Sequence, residues 1–181
     1  MPAQTLCRDG PHGGSKTNPN EEINRTMLDL VGFYARNLAV PARREPGAPE
    51  VLAGKRVFHA IGCASCHVPR HVTGDASPDV HLRGQEIWPY TDLLLHDLGE
   101  GLADGRPEGL ANGREWRTAP LWGIGLVETV NRHTRFLHDG RARTLEEAIL
   151  WHGGEAEEAQ SRYRALSARE RAEVLAFLES L

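Results

Sequence analysis

Cys63-Ala64-Ser65-Cys66-His67 spells C-x-x-C-H. Two thiols at this spacing can each add across a vinyl group of haem. The histidine that follows then sits under the iron, and the product is a c-type haem that cannot dissociate. The chain holds only 3 Cys and 9 His in 181 residues. Random placement of that composition yields roughly 0.002 such pentapeptides, so chance does not explain this one.

Two other chemistries use two cysteines at this spacing. A thioredoxin-like dithiol needs a βαβ context, whereas here the motif follows a helical stretch and opens into a Pro/Gly-rich loop. A zinc site could be assembled from Cys63, Cys66, His67 and His71. Zinc modules of this type, however, place the second ligand pair a dozen or so residues away. The motif therefore predicts one covalent haem c, with a zinc-binding interaction module as an alternative.

A haem iron needs a sixth ligand or an open site. Small c-type cytochromes often use a methionine C-terminal to the motif. This chain has only Met1 and Met27, both N-terminal to it, and Met27 lies on an apolar helical face that reads as core. Histidine or an open site is left. His71 is too close in sequence to swing across a ring, which leaves His81, His96, His133, His138 and His152. Of these, His152 closes a helix between Trp151 and a glycine pair, a fixed mount for a neutral imidazole.

The elements that must position these residues read as helices. Asn18-Pro19-Asn20-Glu21 has a helix-start pattern. Ile23, Met27, Val31, Tyr34, Ala35 and Leu38 then recur at helical steps, which predicts one helix of about 18 residues ended by Pro41. A second helix is predicted from Pro49 to Ile61, with Ala53, Val57, Phe58 and Ile61 on one side and Gly62 as its cap. A polar loop follows over 68–87, a short helix around Tyr90–Asp97, and irregular backbone over 99–130. Thr144-Leu145-Glu146-Glu147 and Ser167-Ala168-Arg169-Glu170 are capping boxes that open helices. The first runs to His152, a further helix covers Glu155–Leu166, and the last carries Val174, Leu175, Leu178 and Leu181. No stretch shows convincing β alternation. The expected class is all-α: cytochrome c-like helices with long loops around one covalent haem. The expected divisions are an irregular tail at 1–20, a helix and Pro-rich linker at 21–48, and a haem domain at 49–181.

The net charge of −4 suggests neither nucleic acid nor an anionic membrane surface. No run of 18 apolar residues predicts a membrane span. Haem attachment by this motif follows export in most bacteria, which predicts the periplasm. Yet the stretch from Met1 to Cys7 has neither the basic start nor the apolar h-region of a signal peptide. The chain is therefore expected to be a piece of a longer precursor or a truncated gene product. Cys7 is the odd thiol, either free or paired outside this chain.

Several longer stretches carry a resemblance. They are Tyr90-Thr91-Asp92-Leu93-Leu94-Leu95-His96-Asp97-Leu98-Gly99-Glu100-Gly101, Glu115-Trp116-Arg117-Thr118-Ala119-Pro120-Leu121-Trp122-Gly123, Phe136-Leu137-His138-Asp139-Gly140, and Thr144 to Gly154. In this order they resemble signatures of the bacterial di-haem oxidoreductases, peroxidase-like proteins also called thiol oxidoreductases. That family is similar to di-haem cytochrome c peroxidases and to the di-haem enzyme that matures methylamine dehydrogenase. Leu98 stands where the family usually has Met.

The relatives have two cytochrome c-like domains, each with its own C-x-x-C-H, and this chain resembles the C-terminal one. The resemblance thus implies an N-terminal haem domain of the same precursor as partner, besides a redox partner protein. In the peroxidases the distal ligand of the C-terminal haem stands 14 residues after the histidine that corresponds to His138, which is the position of His152. The resemblance thus implies His67/His152 coordination, with His138 near the haem but not ligating it. Arg117 suits a haem propionate, since a guanidinium matches a carboxylate fork. Trp122 and Trp151 would wall the haem. Two imidazoles leave no open iron site, which predicts electron transfer, with no catalytic residue in this chain. The alternative is a peroxidase-type enzyme acting on hydrogen peroxide, which needs a labile sixth position and an acid–base group such as Glu100 or His96.

Overall fold

The computed structural model describes residues 23–181. The Asn18–Glu21 helix start and Cys7 lie outside the described residues. The chain divides into two units, Met1–Val40 and Pro41–Leu181.

In the first unit, helix α1 covers Arg25–Arg36. Asn24 caps it, its side-chain oxygen accepting from the Met27 N–H at 2.9 Å. The helix is shorter than the apolar periodicity predicts. Asn37 closes it by donating to the carbonyls of Phe33 and Tyr34, four residues before Pro41 could. No residue of α1 is buried, so Met27, 49% exposed, is not the core residue expected.

In the second unit, helix α2 covers Pro49–Ala60 and opens with Pro at its first turn, where the missing N–H costs nothing. Its buried positions are Val51, Gly54 and Phe58. That stripe is turned from the one expected through Ala53 and Val57, because the neighbouring helix approaches over Gly54. This neighbour, the C-terminal helix, buries Val174, Phe177 and Leu178. It spans Ala168–Ser180 and starts on the Ser167/Glu170 capping box, as its sequence predicts.

A Cβ at Gly54 would lie 1.8 Å from the Glu173 carbonyl oxygen. Gly54→Ala is thus expected to destabilise by about 3 kcal/mol, the upper end of overpacking, because the obstacle is backbone and cannot rotate away. Urea unfolding would read this as a lower midpoint. An unchanged midpoint would refute the close approach of the two helices.

Phe58, Tyr90 and Phe177 form an aromatic knot, with ring centroids 5.2 to 6.2 Å apart. Tyr163, Leu121 and Leu181 complete the core around it. Phe58 also lies 6.3 Å from the ring of His67, so the core ends against the C-x-x-C-H segment.

Between these helices the chain is not all-α. The described residues are 45% helical and 9% strand, with two small sheets, which corrects the expected class. Strands β1 (His71–Val72) and β2 (Glu86–Ile87) pair antiparallel. So do β3 (Leu95–Asp97) and β4 (Glu115–Arg117). Strands of two or three residues are too short for a period-2 pattern to show. The helix expected at Tyr90–Asp97 is instead extended chain running into β3. Tyr90 and Leu93 sit at φ 55° and 62°, left-handed geometry that a helix cannot contain.

A short helix α3 (Val127–Asn131) interrupts the irregular stretch. Helix α4 covers Leu145–Leu150, α5 covers Glu157–Ala165, and the C-terminal helix is α6. Thr144 caps α4 by accepting from the Glu147 N–H. The Glu147 carboxylate, however, accepts from Arg143 N–H, so only half of the expected capping box forms.

Candidate haem-binding site

The C-x-x-C-H segment begins where α2 stops. Gly62, at φ 97°, reverses the chain in a conformation open to glycine. A tight turn follows. Ser65 donates from its hydroxyl and from its N–H to the Gly62 carbonyl, and His67 N–H donates to the Cys63 carbonyl. Cys63 and Cys66 are thus one turn apart, as unlinked and half-buried thiols. Burial pushes the Cys63 thiol up to about 11 and raises that of Cys66. Neither is the low-pKa thiolate that dithiol exchange requires.

His67 points its Nδ1 at the Tyr90 carbonyl, 3.0 Å away. A carbonyl only accepts, so Nδ1 carries the proton and Nε2 keeps its lone pair. Burial pushes the imidazole down to about 4, and the nearby His152 adds to the depression. His152 is arranged alike. Its Nδ1 lies 2.8 Å from the carbonyl of Ala148, one turn back in α4, and burial holds its pKa below the usual value. Among the described residues neither Nε2 has a hydrogen-bond partner. Two partly buried imidazoles from distant parts of the chain, near enough for His152 to act on His67, therefore each keep an uncommitted Nε2. Tyr90, which serves His67, is 1% exposed and holds the left-handed geometry noted above; such an outlier persists where packing over-determines it.

Next to the cysteines lies the β3–β4 ribbon. His96 pairs with Trp116 across it, so both side chains stand on one face. His96 Nδ1 lies 3.8 Å from Cys66 Sγ and 2.8 Å from Glu155 Oε2. Its Nε2 lies 2.8 Å from Asp92 Oδ2. A ring with a carboxylate at both nitrogens must donate from both and is an imidazolium. Its pKa is accordingly raised, by Glu155 first and, against the opposing effect of burial, by Asp92. Neither Asp92, Glu155 nor Tyr90 was singled out from sequence, although Tyr90 and Asp92 belong to the quoted signature.

Trp116 stacks on His138 with centroids 3.5 Å apart and planes 13° from parallel. Its Nε1–H is buried without a hydrogen-bond partner. Arg117, the next residue, pairs with Leu95, projects to the other face of the ribbon and is exposed. Trp122 is half-buried beside core residue Leu121. Trp151 is 39% exposed, with the Arg141 guanidinium 4.9 Å above its ring.

The zinc quartet of Cys63, Cys66, His67 and His71 is not assembled. His71 Nε2 is engaged by the Thr91 carbonyl at 2.6 Å. Among the described residues the group close enough to share an ion is Cys66, Asp92 and His96, whose cysteine belongs to the C-x-x-C-H motif.

A family model described as "di-haem oxidoreductase, putative peroxidase" matches residues 6–181. The chain belongs to the di-haem oxidoreductase family. No match is found among curated proteins or among solved structures. For a di-haem oxidoreductase a haem-linked redox role follows, and the residues fit that cofactor. Two thiols precede a histidine whose Nε2 is free, a second free Nε2 lies nearby, and an orphaned indole N–H is available to a carboxylate. No helix among the described residues of this di-haem oxidoreductase is long and apolar enough to cross a membrane.

Proposed function

We propose that this chain is a c-type cytochrome domain that passes single electrons, with one haem anchored at Cys63 and Cys66 and ligated by His67 and His152. The observation that carries the reading is the matched pair of imidazoles, each with Nδ1 committed to a backbone carbonyl and Nε2 uncommitted. Such outer bonds fix the tautomer and orientation that a metal-binding histidine needs.

Haem supplies a reversible one-electron couple when bound. The protein's own groups do the rest. Cys63 and Cys66 would hold the haem through thioethers, and the Gly62 turn sets their spacing. Tyr90 and Ala148 hold the two imidazoles in place. Trp116 would offer its buried, unpartnered N–H to a propionate, whereas Arg117, on the opposite face of the ribbon, stands away from that position. Trp122 and Trp151 supply aromatic surface, and His138 props the Trp116 ring. Phe58 and the aromatic knot exclude water behind His67, which lets the imidazole stay neutral. Two imidazoles, rather than imidazole and thioether, favour a lower potential. The family's two-haem description, set against one C-x-x-C-H here, supports an N-terminal haem domain of the same precursor as partner, and covalent haem attachment supports the periplasm.

Acid–acetone treatment of protein matured with a haem-ligation system is expected to leave the pigment on the chain, and Cys63→Ser/Cys66→Ser protein to lose it. Complete extraction from the unaltered protein would reject a c-type haem.

A further inference from the structure

Axial ligation by two histidines far apart in sequence requires something to hold their segments at one separation. The bond from His152 to Ala148 orients the ring within α4 but does not place the end of α4 against the haem motif. A run of contacts outside the ligands does. The Asp92 N–H donates to the Cys66 carbonyl at 2.9 Å, which ties Asp92 to the motif. The Asp92 carboxylate lies 2.8 Å from His96 Nε2, and Glu155 Oε2 lies 2.8 Å from His96 Nδ1. The other Glu155 oxygen accepts from the Asp97 N–H at 3.1 Å. Glu155 therefore straddles β3, engaging one ring and one backbone amide, three residues after His152.

The same junction is closed by backbone. A Cβ on Gly154 would lie 2.3 Å from the Asp97 carbonyl oxygen and 2.8 Å from Gly99 N, and one on Gly153 would lie 3.0 Å from the Leu98 carbonyl oxygen. The glycine pair after His152 thus lets the turn press directly on the end of β3. Gly154, at φ 54°, also needs glycine for its conformation.

We infer that Asp92, His96 and Glu155 form a clasp that positions His152 by locking its turn to the C-x-x-C-H segment. The inference rests on the reading of His152 as the distal ligand. The clasp residues touch neither ligand ring in the observed contacts; they act through the turn.

Cyanide capture by the ferric holoprotein tests this, because cyanide binds only after His152 lets go. Glu155 is 56% exposed, so its replacement leaves the core intact. Glu155→Ala removes both carboxylate hydrogen bonds and is expected to speed capture about tenfold, a modest effect because the side chain is half exposed and solvent screens it. Glu155→Gln keeps a side-chain oxygen that can accept from Asp97 N–H and is expected to fall between. In a His152→Ala background, Glu155→Ala is expected to add nothing. Capture at the unaltered rate in both Glu155 variants would overturn the clasp. Equal acceleration with and without His152 would also overturn it, since Glu155 would then control access. A His152→Ala protein that stays low-spin and slow would instead refute the ligand reading, and the clasp with it.

Discussion

His152→Ala is expected to convert the ferric haem from low-spin to high-spin, while His138→Ala leaves it low-spin. The two histidines differ in what holds them. His152 is partly buried, neutral and fixed through Nδ1, with Nε2 free. His138 lies flat on Trp116, and its Nε2 faces Asp139 at 3.8 Å. A stacked ring beside a carboxylate is a poor candidate for an iron ligand, whereas a buried imidazole oriented by a carbonyl is a good one. Removing a strong-field axial ligand empties one position, so the expected spectral change is near-complete. Absorption or electron paramagnetic resonance spectra of the two variants check it. Reversed phenotypes would mean that the register through α4 is misassigned. A low-spin spectrum in both would point to His81 or His133, since both nitrogens of His96 are engaged by carboxylates.

Hydrogen peroxide is expected to turn over slowly on this chain alone, well below the order of 10 s⁻¹ typical of enzymes, while voltammetry shows a reversible one-electron wave. Peroxide activation needs a vacant or easily vacated iron site, and the proposed pair of imidazoles occupies both axial positions. It also needs a proton donor beside that site. Of the two groups weighed for the role, His96 has both nitrogens engaged by carboxylates. Glu100 is 83% exposed and pairs with Arg114 at 3.1 Å. Neither is a free acid next to His152. The family is described as di-haem, so supplying the proposed N-terminal haem domain is expected to raise turnover. Turnover at about 10 s⁻¹ or faster by the isolated chain would replace electron transfer with the enzyme reading.

Much of the site was legible because its signals are local. The C-x-x-C-H spacing, the left-handed Gly62 and the Ser167 capping box each depend on residues within one turn of chain, where sequence separation and spatial separation coincide. The family is legible too, since the ordered signatures from Tyr90 to Gly154 carry it, and the family match over 6–181 agrees. The positions of α2, α4, α5 and α6 follow for the same reason, although the helix expected at Tyr90–Asp97 does not form, and helix faces do not follow. The stripe on α2 is set by where α6 passes over Gly54, and α1 shows an apolar periodicity without burying a residue.

Long-range pairing decided the remainder. The β3–β4 ribbon joins residues about twenty apart in segments of three, below the length at which alternation becomes a signal. That pairing sets Trp116 beside His96 and turns Arg117 to the opposite face, so two neighbours in sequence have opposite roles. Glu155 reads in sequence as an ordinary surface acid following a glycine pair. Only the close backbone approach that those glycines permit brings it to His96, and only the fold brings His96 to Cys66. Local chemistry thus named the C-x-x-C-H motif and the histidine proposed as proximal ligand. What surrounds them depends on contacts between segments that no local pattern encodes.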